Sequence, residues 1–490
     1  MPPTAHGLPF VEELLDRHPD QTPYLVADHT VTHGQLREAV AQEAALFASS
    51  GVGPGSTVAL QVPPSFTQVE VLLALWRLGA QVMLIDHRLK PPEVEALRAL
   101  CRPQHVVRVG AGRWSLVNFR ARYELVTERR AGGRPAGSDH RLVQFSSGST
   151  GLPKVVGRTA AALAAEVERF SLIPGMPGQG ERVLLLSSTA HSFGLIAGLL
   201  HSLFAGAAVV FPARVSADAI LAAAADHAVQ VIFGVPFHYE LLASAPHPPR
   251  LPGLRAAVSG GELMAPEVAA AFADRFGVGV GESYGTTETG VIAMDVRPTT
   301  RPSVGPPAPG VDLRVRGGEL EVRLDRTPYL TADGQDRYVD GWLRTRDRAE
   351  IGPDGTVRLL GRGDSLVVVG GLKVDLTEVE AVLGRHPAVN EVVVAHGEAI
   401  EAYVSTSDSS LTAAALVGWC RGQLADHKLP KVVRLLPALP RTSNGKLVRG
   451  QAALKEAAQQ EAAQQEAAQQ ETTQGTVALA GAGPGQPDQV

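Results

Sequence analysis

Only two cysteines occur in 490 residues, Cys101 and Cys420. They cannot build a disulfide framework or a CxxC metal knuckle. A reducing cytoplasm is therefore the expected compartment. The chain also lacks an excess of charge of one sign. Its 45 Lys and Arg stand against 50 Asp and Glu, a formal net charge of −5. A dedicated nucleic-acid binder needs clustered Lys and Arg to meet phosphates, so no nucleic-acid partner is expected. No window approaches about 20 apolar residues, so no membrane-spanning helix is expected. The opening stretch MPPTAHGLPFVEELLDRHPD has no basic segment followed by an apolar one and does not read as a signal peptide.

What is present suits a large, loop-rich α/β enzyme. Gly (51) and Pro (35) are somewhat above average usage. The length corresponds to about three domains as a prior. Leu36, Val40, Ala44 and Phe47 recur near helical spacing before the stop at Gly51. STVALQV then reads as a buried strand, TQVEVLLALWRLGA as a helix and QVMLID as a strand. This alternation predicts βαβ units and a parallel sheet. It recurs at RVLLLSS, AAVVFP and QVIFGVP, with AGLLHSLF and AILAAAADHA between them. From about residue 310 the pattern changes. VDLRVRGGELEVRL alternates across a Gly-Gly turn and predicts a hairpin. A smaller α+β unit is expected after Gly361. The expected boundaries are therefore 1–361 for a large domain, 362–455 for a small one and 456–490 for a low-complexity tail. In that tail EAAQQ occurs three times, which steps each residue type around a helix and leaves no apolar stripe; a solvated helix fading into disorder is expected.

Four segments carry chemistry. In QFSSGSTGLPK, Gln144 to Lys154, a strand end runs into small and hydroxyl residues. Backbone N–H groups and the hydroxyls of Ser146, Ser147, Ser149 and Thr150 can donate to a phosphate, with Gly148 and Gly151 allowing close approach and Lys154 adding charge. It is not a Walker A loop, because Pro153 precedes Lys154. In ESYGTTETG, Glu282 to Gly290, an aromatic, hydroxyls and a carboxylate could stack on a base, bond a phosphate and hold Mg²⁺. The same stretch formally matches a hydrolase nucleophile elbow at Ser283, a reading that needs a helix directly after it. GWLRTRDRAEI offers Asp347 to ribose hydroxyls, and LLGRGDS offers Arg362. PRTSNGKLVR carries Lys446. Taken singly, Asp347 also reads as a solvated charge and Lys446 as a surface lysine.

Together, in this order and spacing, the four segments resemble the adenylate-forming superfamily of acyl- and aryl-CoA synthetases, peptide-synthetase adenylation domains and luciferases. The resemblance covers roughly residues 10 to 455, with support from GVGPGSTVALQVP, RAAVSGGELM, GGLKVDLTEVE and LADHKLP. It implies a large α/β domain of parallel-sheet βαβ units with a β-rich subdomain, then a small mobile α+β domain. It implies MgATP and a small carboxylic acid as substrates, an acyl-adenylate intermediate, and CoA or a carrier-protein phosphopantetheine as thiol acceptor. By this resemblance Ser146 to Lys154 hold the triphosphate. Tyr284 stacks near adenine, with Gly260, Gly261, Glu262, Gly285 and Thr286 along the pocket. Thr287 touches the α-phosphate, and Glu288 holds Mg²⁺. Asp347 and Arg362 bind the ribose, and Lys446 bridges carboxylate and phosphate. Asp364 is the hinge, and Gly370 and Gly371 line the thiol tunnel.

Some positions depart from the family pattern. Val155 follows the loop lysine where Gly is usual, and Thr345-Arg346-Asp347 replaces Thr-Gly-Asp. Arg348 replaces an apolar residue, Leu376 a Pro and His427 a Tyr. The arginines put the ribose-loop geometry in question, or add a surface for a carrier protein. His191, in SSTAHSFGL, stands where acid–CoA ligases often have His and amino-acid-activating domains usually have Asp; it also reads as a His packed at a turn. Val235, Pro236, Ser259 and Gly260 are expected near the acid, and their small size permits a ring or short chain. The expected protein is an AMP-forming acid–thiol ligase, monomer or homodimer. A non-catalytic nucleotide sensor and a Ser283 hydrolase are the alternatives from other classes.

Overall fold

The structure, a computed structural model, describes residues 8–89, 91–110, 122–146, 154–298, 303–369, 372–424, 426–442 and 445–463. The chain divides into two compact units, Met1–Leu360 and Gly361–Val490.

The large unit contains two mostly parallel sheets. Its strands in chain order are β1 (Pro23–Val26), β2 (Thr30–Thr32), β3 (Thr57–Gln61), β4 (Gln81–Leu84), β5 (His105–Val109), β6 (Leu125–Arg129), β7 (His140–Ser146) and β8 (Lys154–Thr159). They continue as β9 (Arg182–Leu185), β10 (Ala208–Val210), β11 (Val231–Gly234), β12 (Ala256–Gly260), β13 (Val280–Thr286) and β14 (Gly290–Asp295). One sheet runs β6-β5-β3-β4-β7-β8 and the other β14-β13-β12-β11-β9-β10-β1-β2. The inner pairings are parallel, and the end pairs β5/β6, β7/β8, β13/β14 and β1/β2 are antiparallel. Strands β4, β9, β11 and β12 carry continuous apolar runs because helices or the other sheet cover both faces.

The main core lies between these sheets. It joins Val58, Leu60 and Val82 of one to Val183, Phe233 and Val258 of the other. The helix Phe66–Arg77 fills it and is buried on all sides from Phe66 to Trp76. Ser65 caps that helix by accepting from the Gln68 N–H at 3.0 Å. The helix His33–Ser49 starts with a Thr32–Gln35 capping box and buries Leu36, Val40, Ala44 and Phe47, the four residues its spacing had marked. A second core packs the helices Ala217–Asp226, Pro236–Ala243 and Pro266–Phe276 on the other face, against Leu184, Ile232 and Ala257. The run AGLLHSLF, expected as the helix between two strands, straddles the π-helix Phe193–Leu200 and the α-helix His201–Ala205 that continues it.

The β-rich part of this unit is built from β15 (Leu313–Arg316), β16 (Glu319–Arg323), β17 (Tyr338–Val339) and β18 (Trp342–Ile351). The hairpin of β15 and β16 turns at Gly317 and Gly318. In the small unit, the helices Leu376–Gly384 and Ala413–Arg421 pack on the strands Glu391–His396, Ile400–Ser405 and Val432–Leu436. A further helix spans 451–463, so residues 456–463 of the expected tail are helical. Leu454 and Ala458 are buried against Val393, Tyr403 and Leu436, and Lys455 pairs with Glu401 at 3.1 Å. The start of that helix is therefore packed rather than fully solvated.

Candidate functional site

Open parallel sheets bind ligands at the carboxyl ends of their strands. Here β9, β11, β12 and β13 end side by side, with Gly234 opposite Ser259 and Gly260 opposite Ser283. Ser283 lies inside β13, and the chain returns as the antiparallel strand β14. The helix a nucleophile elbow requires does not follow it, which removes the hydrolase reading.

The β13–β14 turn is closed by two hydroxyls. Thr286 and Thr289 each accept from the other's backbone N–H, both at 3.3 Å. This fixes Thr287 and Glu288 at the tip. Glu288 is 5% exposed, accepts from the Tyr329 hydroxyl at 3.0 Å and pairs with Arg337 at 3.4 Å. Burial, then the Glu288 charge, pushes the Tyr329 hydroxyl well above its ordinary pKa, so it stays a donor. Arg337 also donates to the carbonyls of Arg344 (2.9 Å) and Thr345 (3.0 Å). One guanidinium thus ties the Glu288 turn to the segment that carries Asp347.

In that segment Tyr284 donates to Asp347 Oδ2 at 2.6 Å. Arg346, where Gly is usual, adopts a left-handed φ of 63°. Its N–H donates to Glu319 at 2.8 Å, and its guanidinium lies 3.6 Å from Asp336. The segment whose geometry the arginines put in question therefore keeps Asp347 against Tyr284. Lys154 opens β8 and is 9% exposed. Burial, then repulsion by Arg337 and Arg346, lowers its pKa, against the opposing pull of Glu288 and Asp336. The lysine that ends the Ser/Gly-rich motif is thus felt by charges that also surround Glu288. Ser147, Gly148, Ser149, Thr150 and Gly151 lie outside the described residues, as does the Ser146 side chain.

Around the expected acid pocket, a Cβ added at Gly260 would come within 2.8 Å of the Phe193 ring, so only glycine admits that ring. Phe193 in turn packs on Phe233 with ring centroids 5.5 Å apart. Val235 precedes the helix Pro236–Ala243, and its N–H donates to the His238 ring at 3.1 Å. Burial, then Arg88, lowers the His238 pKa to about 4, so the ring is neutral and accepts this bond. The Ser259 hydroxyl is buried without a partner among the described residues. Gly261 is exposed and Glu262 half-buried. His191 lies 3.4 Å from Asp86.

In the small unit Arg362 is exposed, and its carbonyl accepts from the Ser365 hydroxyl at 2.6 Å. Asp364 falls in the turn Gly363–Ser365, with its side chain outside the described residues, as are Gly370 and Gly371. The Lys446 carbonyl accepts from the Thr442 N–H at 2.7 Å, which closes the loop that presents this lysine. Tyr329, Arg337 and Asp86 escaped the sequence reading. Each lies outside the four chemistry-bearing segments, Asp86 at the end of WRLGAQVMLID, and only the fold brings them to Glu288 or His191.

Residues 11–326 match the family of AMP-binding enzymes, and residues 378–446 match the AMP-binding enzyme C-terminal domain. The sulfoacetate–CoA ligase of Cupriavidus necator is 29% identical over 486 residues, covering 88% of this chain and 94% of that protein. The phosphinothricin tripeptide synthetase PhsC of Streptomyces viridochromogenes is 28% identical over 91% of this chain, which matches 44% of its length. The anthranilate CoA ligase AuaEII, solved with anthranoyl-AMP, has the same fold at a TM-score of 0.76 and 23% identity, over 93% of this chain and 98% of that one. With a family match that spans most of the large unit and a second in the small unit, the chain belongs to the AMP-binding enzymes of the adenylate-forming superfamily.

Proposed function

We propose that the chain activates an aryl or short acyl carboxylic acid with MgATP and passes the acyl group to the thiol of CoA. In the first step an acid oxygen attacks the α-phosphorus, and the bond to pyrophosphate breaks. In the second the thiol sulfur attacks the acyl carbon, gives up its proton, and the bond to AMP breaks. The observation that carries this reading is the bond between Tyr284 and Asp347, which joins two motifs 63 residues apart in one place. There Tyr284 would flank adenine and Asp347 would accept from the ribose, joined by Arg362. Lys154 and the Ser146–Gly151 loop would hold the phosphates. Two anions must meet in adenylation, so positive charge and donors at the α-phosphate lower the barrier. Thr287 and Lys446 are the groups assigned to that task. Glu288, a single buried carboxylate, suits Mg²⁺, whose other ligands are usually phosphate oxygens and water; the ion would offset phosphate charge.

The small unit, pivoting at Asp364, would bring Lys446 for adenylation and the Gly370–Gly371 segment for thiol attack. His191, Val235, Pro236, Ser259 and Gly260 would bound the acid. ATP–pyrophosphate exchange across aryl, aliphatic and amino acids tests the reading. Exchange with one class names the acid; none, despite MgATP binding, removes the ligase reading. A second acceptor is favoured by the likeness to the peptide synthetase PhsC, namely a carrier-protein phosphopantetheine. Direct competition between free CoA and a loaded carrier separates the two.

A further inference from the structure

Asp86 lies two residues past β4 and is 6% exposed. Arg88 folds back on it with both arms, Nε to Oδ1 at 3.0 Å and Nη2 to Oδ2 at 2.8 Å, and the Arg88 N–H adds a third bond at 2.9 Å. His87 stands 3.6 Å away, and burial lowers its pKa to about 4, so it remains neutral. Burial alone would raise the Asp86 pKa, but His191 and Arg88 outweigh it and hold the carboxyl well below the usual range. Asp86 is thus an acceptor held in place by Arg88 and biased toward its ionised form.

His191 comes to it from another sheet, in the loop between β9 and the π-helix. That loop is pinned on both sides of His191 by one residue of β7, the neighbour of β4. Gln144 donates to the Ala190 carbonyl at 2.9 Å and accepts from the Ser192 hydroxyl at 2.8 Å. The His191 N–H also donates to the Ser188 carbonyl at 3.2 Å. The backbone of His191 is therefore held, and its ring Nε2 faces Asp86 Oδ2 at 3.4 Å. This is an ion-pair separation that a small ring rotation converts to a hydrogen bond, and such bonds often tighten only when substrate binds. No other acceptor among the described residues meets Nε2. A carboxylate opposite Nε2 favours a proton on that nitrogen, which leaves Nδ1 directed away from Asp86 on a side chain that is 33% exposed.

We propose that Asp86 is a positioning residue that, clamped by Arg88, fixes the ring orientation and proton-bearing nitrogen of His191 so that Nδ1 faces the acid. This rests on the reading above that His191 borders the acid. Asp86→Asn in the full chain tests it, because the amide keeps the shape but loses the charge. The KM for the acid in pyrophosphate exchange is expected to rise about ten-fold, the scale of one charge-assisted contact, while the KM for MgATP stays within about two-fold. Nitrogen-15 spectra of labelled histidine, with His191 assigned by His191→Gln, should change from the Nε2–H tautomer to a mixture. Should the Asn variant fail to fold, Arg88→Gln loosens the clamp and must raise the acid KM in the same direction by less. An unchanged acid KM, a parallel rise in both KM values, or an unaltered His191 spectrum would each overturn the proposal. Absence of acid-dependent exchange in the unaltered enzyme would instead remove the ligase reading, and the acid-facing role with it, while the spectra would still decide whether Asp86 sets the tautomer.

Discussion

Replacing Arg337 by Met removes a cation paired with the buried Glu288 carboxylate. The arginine is 7% exposed and the glutamate 5%. Breaking one side of such a pair costs about 3–5 kcal/mol, because the remaining charge stays desolvated. The carbonyls of Arg344 and Thr345 lose the Arg337 donor too, which adds to the cost. A loss of about 4 kcal/mol is therefore expected in urea denaturation, with a raised KM for MgATP because the Glu288 turn is no longer tied to the Asp347 segment. Arg337→Lys should fall between, since it keeps the charge but not the planar fork that reaches two carbonyls and a carboxylate. The double variant Arg337→Met with Glu288→Gln should regain most of the lost stability, the orphaned charge being gone, but not the activity. The reasoning fails if Arg337→Met lies within about 1 kcal/mol of the parent, or if the double variant is no more stable than the single one.

Lys446→Ala should abolish pyrophosphate exchange yet largely spare thiol attack on a supplied acyl-adenylate; equal loss of both half-reactions would contradict alternation of the small unit. Gly260→Ala should shift acid preference toward smaller acids, read as relative kcat/KM, because the new methyl displaces the Phe193 ring from 2.8 Å. Burial lowers the pKa of His33, His201 and His238 to about 4 each. A group with a depressed folded value contributes stability above its unfolded pKa of about 6.5 and loses it as pH falls toward 4. The urea midpoint should therefore drop between pH 7 and pH 5, and a flat profile would contradict this. His201→Leu should flatten part of that slope and be neutral or stabilising at pH 7, since both ring nitrogens are buried without partners among the described residues.

The large unit was legible where local pattern and tertiary context agree. The spacing Leu36-Val40-Ala44-Phe47 and the Gly317-Gly318 turn each act within a few residues, so propensity and fold point the same way. The π-helix was not legible, because FGLIAGLL is apolar at nearly every position and buried from Gly194 to Leu200, so no period distinguishes one helix type from another. The packed start of the last helix was hidden for the opposite reason. The repeat drew attention to its polar composition, while Leu454 and Ala458, four residues apart, form a short stripe on the small-unit core.

The site divides along the same physical line. Residues proposed to meet phosphate, Mg²⁺ or ribose must be of particular chemical types at particular backbone positions, so the motifs that carry Lys154, Glu288 and Asp347 stand out in one dimension. Residues that hold those groups in place need only supply a charge or a hydroxyl from any element the fold brings near. Tyr329 and Arg337 reach Glu288 across 41 and 49 residues, and Asp86 reaches His191 from a different sheet. Arg346 belongs to this second kind. Its left-handed φ of 63° costs about 1–2 kcal/mol for a residue with a Cβ, and the Glu319 carboxylate that accepts its N–H helps hold it there. A turn that glycine would make freely is thus made by a residue whose charge also acts on Lys154. Arg346→Gly should accordingly lower the backbone strain and raise the Lys154 pKa together, tying an apparent departure from the family motif to the electrostatics of Lys154.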